Sequence, residues 1–197
     1  MKEKKGTYIF FKFLLKPVFK IICHPKIINK EAIPMEGAFI VCGNHINILD
    51  QCGPIISTKR MIHYMAKKEY FDGKFAWFFK NTGCISVNRG IKDEKAKKEA
   101  YKLLESGYAV GLFPEGTRNK TDKLLLPFKF GAVSMAKKTG AYIVPVCVTG
   151  SYNIKNKDLI YRFGDAFKVD NLTLEEANKK LRDEISLLIK KNLDEGR

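Results

Sequence analysis

The sequence predicts an α/β fold: a single domain on a mixed, largely buried β-sheet flanked by helices. Three observations predict it. Short apolar runs of strand length alternate with segments of helical period. Glycines and prolines stand at the boundaries between them. The chain has 197 residues, 45% of them apolar, which suits one substantial core rather than two. An amphipathic segment at residues 1–27 precedes a domain expected over residues 28–197.

Residues 8–22 form an apolar stretch interrupted by Lys12, Lys16 and Lys20. On a helix, lysines four apart make one cationic stripe beside a broad face of Ile, Phe, Leu and Val. Lysines inside the apolar run, with no small residues closing it, argue against a signal peptide. The pattern predicts a helix lying in a membrane interface, rings in the acyl boundary and lysines on anionic headgroups. Its alternative is an ordinary amphipathic helix packed on the core. Pro17 should kink this helix or mark a helix start. No run of 18 apolar residues occurs, so no transmembrane helix is expected.

Residues 38–42 follow Gly37 as a buried strand, and residues 62–66 are a second, with a helix near 74–80. Residues 85–87 make a third strand, ending at Asn88-Arg89-Gly90. Residues 93–106 place Ala96, Ala100, Leu103 and Leu104 at helical spacing, with Gly107 as the stop. Residues 108–113 are strand-like up to Pro114, 130–138 helical up to Gly140, and 142–148 and 162–169 strand-like. Thr173 and Glu176 have capping-box spacing. The helix they open has an apolar face of Leu174, Ala177, Leu181, Ile185 and Leu188.

A formal charge of +15 calls for an anionic partner: nucleic acid, a membrane surface, or an acidic protein and a phosphorylated substrate. No RNA- or DNA-binding motif appears, so nucleic acid is not expected. Five scattered cysteines without a C-x-x-C pair read as reduced, mostly buried thiols facing the cytosol. With three histidines and no metal-ligand spacing, no metal site is expected.

Chemistry concentrates at strand ends. Gly43-Asn44-His45-Ile46-Asn47-Ile48-Leu49-Asp50 follows the first strand. Imidazole suits general-base work near neutral pH, and a carboxylate on its other nitrogen sets the tautomer. On a regular helix, positions five apart diverge by about 140°, so the pair requires a turn between strand and helix. In isolation the spacing arises by chance in about one chain in seven of this composition, and Asp50 would then only cap a helix. Corroboration comes from residues 113–118, Phe-Pro-Glu-Gly-Thr-Arg. There Gly116 lets the backbone approach a ligand, Thr117 adds a hydroxyl, and Arg118 can fork a phosphate. Glu115 fits such an anion site if it orients an arginine or accepts a substrate hydroxyl. Arg89 ends the third strand, Lys129 is a further cation, and Pro145, inside an apolar strand, implies a bulge or edge position.

The order and content of these blocks resemble the glycerolipid acyltransferase family, which includes 1-acyl-glycerol-3-phosphate acyltransferases. Asn44-His45-x4-Asp50 resembles its catalytic block, residues 83–90 its second, residues 113–118 its third and Val144-Pro145-Val146 its fourth. Ala66-Lys67-Lys68-Glu69 and Pro127-Phe128-Lys129-Phe130-Gly131 agree between blocks, so the match spans residues 28–165. Asn47, where the family often has serine, and Gln51-Cys52 depart from it. The resemblance implies the family's glycerol-3-phosphate acyltransferase-like fold and a direct transfer without a resident cofactor. His45 is then the base and Asp50 its orienter. Arg89, Glu115, Gly116, Thr117, Arg118 and Lys129 serve the glycerol-phosphate acceptor, and Pro145 shapes the acyl side. Acyl-CoA or acyl-acyl carrier protein is the implied donor and lysophosphatidic acid the acceptor, with glycerol 3-phosphate or another lysophospholipid as alternatives. A peripheral position on the cytoplasmic face of a membrane is implied as well. A catalytically silent lipid-binding module is the rival from another class.

Overall fold

The computed structural model describes residues 5–195. Its elements are α1 (Lys5–Cys23), β1 (Lys26–Ile28), β2 (Phe39–Gly43), α2 (Cys52–Ser57), β3 (Ile62–Lys67), α3 (Ala76–Asn81), β4 (Ile85–Val87) and α4 (Glu94–Glu105). There follow β5 (Ala109–Leu112), α5 (Gly131–Thr139), β6 (Tyr142–Thr149), β7 (Ile160–Phe163) and α6 (Leu174–Glu195). The strands form one mixed sheet in the order β1-β7-β6-β2-β5-β3-β4. β2 to β6 are mutually parallel, and β7 runs against β6.

Because side chains alternate along a strand, the buried runs divide between two faces. Ile40, Cys42, Val110, Ile143 and Cys147 point to the face covered by α4, α5 and α6. Phe39, Val41, Ala109, Val144 and Val146 point to the other, where α1 and α2 lie. Both faces are therefore dry, as a parallel sheet requires.

The expected helix ends hold. Asp93 accepts the Ala96 amide at the start of α4, and left-handed Gly107 ends it with Tyr108 N–H on the Leu103 carbonyl. Thr173 and Glu176 exchange bonds as a capping box, and Ala177, Leu181, Ile185 and Leu188 are buried.

The structure sets aside one alternative each for Pro145 and Pro17 and corrects the end of one strand. β6 is an interior strand, not an edge. Pro145 is tolerated because its carbonyl, and so its missing N–H, faces β7 where the ladder is broken. Pairing there jumps from Val146–Phe163 to Ile143–Phe167, one extra residue on the β7 side, which is a bulge. The same bulge ends β7 at Phe163, short of the strand expected to residue 169. Pro17 starts no helix; α1 runs through it.

α1 packs one face on the core and leaves its other apolar face exposed. Tyr8, Phe19 and Cys23 are buried against the sheet, while Ile9, Phe10, Phe13, Leu14, Val18 and Ile21 stay exposed. Lys16 and Lys20 are exposed too. Lys12 instead turns inward to the Thr58 carbonyl, and burial, with Lys16 adding, lowers its pKa to about 8. No helix among the described residues is long and apolar enough to cross a membrane.

Gly111 in β5 tests the packing. A Cβ there would meet the Tyr64 ring at 2.6 Å, and Tyr64 stacks on Phe113 at 5.9 Å. Gly111→Ala should cost about 2 kcal/mol by overpacking, a fall of roughly 4–8 °C in thermal midpoint. An unchanged midpoint in calorimetry would show that this contact is slack.

Candidate active site

Parallel strands align their carboxyl ends, and in α/β sheets ligands bind at that edge. The loops after β2, β3, β4, β5 and β6 therefore share one rim. β2, the middle strand of the seven, lies between β6 and β5.

After β2 the chain turns through residues 44–51 and enters α2 only at Cys52, so 45 and 50 are not on a common helix. Asn44 pins the departure, its side chain donating to the Val148 carbonyl and accepting the Val148 amide. The turn brings His45 Nδ1 to 2.7 Å from Asp50 Oδ2. The same oxygen accepts the amides of Ile46 at 2.7 Å and Asn47 at 2.8 Å. Amides can only donate, so Oδ2 is an acceptor and His45 donates from Nδ1. That leaves the Nε2 lone pair for a substrate proton.

Phe113, at the end of β5, lies flat under the imidazole, with ring centroids 4.0 Å apart. Glu115 is buried, 4% exposed. Its two oxygens accept the His45 amide and the Leu126 amide, each at 2.8 Å. Burial pushes its carboxyl up, against the pull of those two amides. Asn119 N–H then donates to the His45 carbonyl. The backbone of His45 is thus held on both sides by the loop after β5.

Gly116 adopts φ 70°, and a Cβ there would sit 2.9 Å from Lys129 Cε, so the lysine lies across the glycine. Thr117, Arg118 and Lys129 are exposed, and among the described residues neither cation has a hydrogen-bond or ion-pair partner. Arg89 is exposed at the end of β4, close enough to Glu69 to help lower its pKa after the Lys67 hydrogen bond. β4 is three strands from β2, roughly 14 Å along the rim. Asp93 holds the Arg89 turn by accepting the Asn88 amide. The structure does not bring Pro145 to His45. It pairs with Cys42, about 10 Å below His45 along the strand, and its ring faces Gly164 on the side covered by α6.

Sequence reasoning missed the support behind Asp50. Tyr152 O–H donates to Asp50 Oδ1 at 2.5 Å, and Tyr161 lies 2.7 Å behind it. Burial pushes both phenols up, so each remains a donor. No local signal marked it: Tyr152 follows β6, and only the tertiary structure puts β6 beside β2. Cys52, two residues from Asp50, has its thiol pushed up to about 12 by burial, with Cys23 and Asp50 adding, and is no nucleophile at neutral pH. Among the described residues no three His, Cys, Asp or Glu gather as a metal site.

The chain Tyr161 to Tyr152 to Asp50 makes an unequal demand on its members. Tyr152→Phe removes a donor to a carboxylate and should cost about 2 kcal/mol in urea unfolding, against about 1 kcal/mol for Tyr161→Phe. Equal costs would contradict the ordering of the chain.

Comparison with known proteins agrees with this geometry. The family model for acyltransferases matches residues 24–149. The 1-acyl-sn-glycerol-3-phosphate acyltransferase of Bacillus subtilis is 34% identical over 145 residues, covering 73% of this chain and 71% of that one. The enzyme of the same name from Borreliella burgdorferi is 30% identical over 171 residues, covering 80% and 68%. In three dimensions the chain superposes on PlsC, the 1-acyl-sn-glycerophosphate acyltransferase of Thermotoga maritima, with a TM-score of 0.73. That match covers 95% of this chain and 87% of that one at 22% identity, and so speaks to the fold. The chain shares sequence and fold with these proteins: it belongs to the acyltransferase family.

Proposed function

We propose that this protein transfers an acyl group from acyl-CoA or acyl-acyl carrier protein to the free hydroxyl of 1-acyl-glycerol 3-phosphate, forming phosphatidic acid. The single observation that carries the mechanism is the His45–Asp50 pair, with Nδ1 committed and Nε2 free. Relatives of that activity, 34% and 30% identical, supply the substrate class.

In this reading Nε2 of His45 takes the proton of the acceptor hydroxyl as its oxygen attacks the thioester carbonyl. The C–S bond of the tetrahedral intermediate then breaks, and the imidazolium returns its proton to the leaving thiolate. Asp50 stabilises that imidazolium. No acyl-enzyme is formed. Gly116, Thr117, Arg118 and Lys129 receive the phosphate beside His45, and Arg89 closes the site from the far end of the rim. Glu115 acts through the backbone of His45. Pro145 influences the acyl side only through the course of β6. Exposed Ile46, Ile48 and Leu49 around the histidine offer the acyl chains an apolar ledge.

The lysolipid acceptor resides in a bilayer, so the enzyme works at a membrane surface, on its cytoplasmic face. The outward face of α1, with Lys16 and Lys20 at its margin, is the contact, peripheral and favouring anionic lipids.

Transfer is tested with purified protein, radiolabelled acyl-CoA or acyl carrier protein, and a panel of lysolipids. Lysophosphatidic acid should be acylated, and His45→Ala should lower the rate by roughly 10²–10⁴. No transfer to any acceptor, or a mutant as active as wild type, sinks the mechanism. For the membrane, Phe13→Ser with Ile21→Ser should weaken sedimentation with anionic vesicles and leave the thermal midpoint unchanged, since both side chains are exposed. Salt should weaken wild-type binding; binding equal in the variant and insensitive to salt would count against α1.

A further inference from the structure

We infer that the segment carrying Phe75 and Trp77 is a second membrane-contacting element, seated in the headgroup region of an anionic bilayer beside α1. This rests on the membrane reading of α1 and extends it to a part of the chain the sequence motifs do not touch.

Helices that cover a sheet bury one face. α3 has no buried residue. Phe75, just before the six-residue helix, is 72% exposed, and Trp77 within it is 63% exposed. Phe78 anchors the segment, with its ring 4.8 Å from Phe11 of α1, and Trp77 lies 6.2 Å from the same ring. Phe11 in turn meets Phe10 at 5.5 Å, and Phe10 and Phe13 are 57% and 75% exposed. Two elements far apart in sequence thus present one continuous aromatic surface. A contiguous exposed apolar surface of this kind marks an interaction site.

Charge identifies the occupant. Lys68, Lys74 and Lys80 are exposed around the aromatic residues of this segment, as Lys16 and Lys20 are on α1. Of the two nearby acids, Glu69 is paired with Lys67 at 2.7 Å, leaving Asp72. Aromatic rings framed by lysines match the interfacial zone of an anionic bilayer, where tryptophan is preferred. Position gives the contact a consequence. The segment follows β3 and so hangs from the rim that carries His45. With α1 alone the molecule could roll about the helix axis; a second contact on the rim side fixes that roll and turns His45 toward the lipid.

Trp77 is the only tryptophan in the chain, so it reports its own environment. The full-length protein is mixed with phosphatidylglycerol–phosphatidylcholine vesicles, with and without bromine in the acyl chains. Trp77 emission should shift to the blue and be quenched by the brominated lipid. Phe75→Ser should weaken vesicle affinity roughly fivefold and leave the thermal midpoint unchanged. If the protein sediments with vesicles while Trp77 stays unquenched and Phe75→Ser binds like wild type, this inference falls and α1 stands alone. If nothing sediments, both membrane readings fall. If acyl carrier protein shifts Trp77 emission and vesicles do not, the surface belongs to the carrier and the inference is overturned.

Discussion

A carboxylate that is 2% exposed must collect donors or be costly, and Asp50 collects four. Two are backbone amides of its own turn, one is the imidazole of His45 and one is the phenol of Tyr152. The amides force residues 45–50 into a tight turn. That turn places the imidazole where its second nitrogen is free. Satisfying the buried charge and orienting the imidazole are therefore one structural event, which is why neither residue can be exchanged without disturbing the other.

The surroundings extend this constraint in two directions. Toward β5, Glu115 and Asn119 take the amide and carbonyl of His45, and Phe113 supports its ring. The loop that carries Arg118 is thereby tied to His45 itself. Toward β6, Tyr152 and Tyr161 back Asp50, and the Phe19 ring of α1 lies 6.3 Å from Tyr152 and 6.4 Å from Tyr161. The helix whose outer face is apolar and exposed thus has its inner face against the residues that hold the Asp50 carboxylate. Packing in this region couples surface and site through a few rings rather than through a long path.

Much of this was legible in the residues. Short apolar runs located β2 to β6, and period-3.6 patterns α4 to α6, because each strand buries two faces and each helix one stripe against a common core. Gly107 and Gly140 stopped helices where a left-handed residue was needed. β1 was illegible: three residues on an edge, Lys26 exposed, carry too little pattern. Glu115 was misread in character rather than in importance. Its neighbours in sequence suggest a carboxylate that orients an arginine or accepts a substrate hydroxyl, whereas its oxygens accept the amides of His45 and Leu126, 70 residues before it and 11 after it.

By itself the sequence determined the class of fold and singled out His45 and Asp50 as a pair joined across a turn, because local periodicity and short-range spacing suffice for these. Only the tertiary structure decided that Tyr152 completes the site, that Pro145 is harmless inside the sheet, and that α1 and α3 share one aromatic surface. Each depends on residues brought together by the order β6-β2-β5-β3-β4 or by helix packing across it. A strand order is a choice among long-range pairings, and no local pattern encodes which neighbour a strand will have.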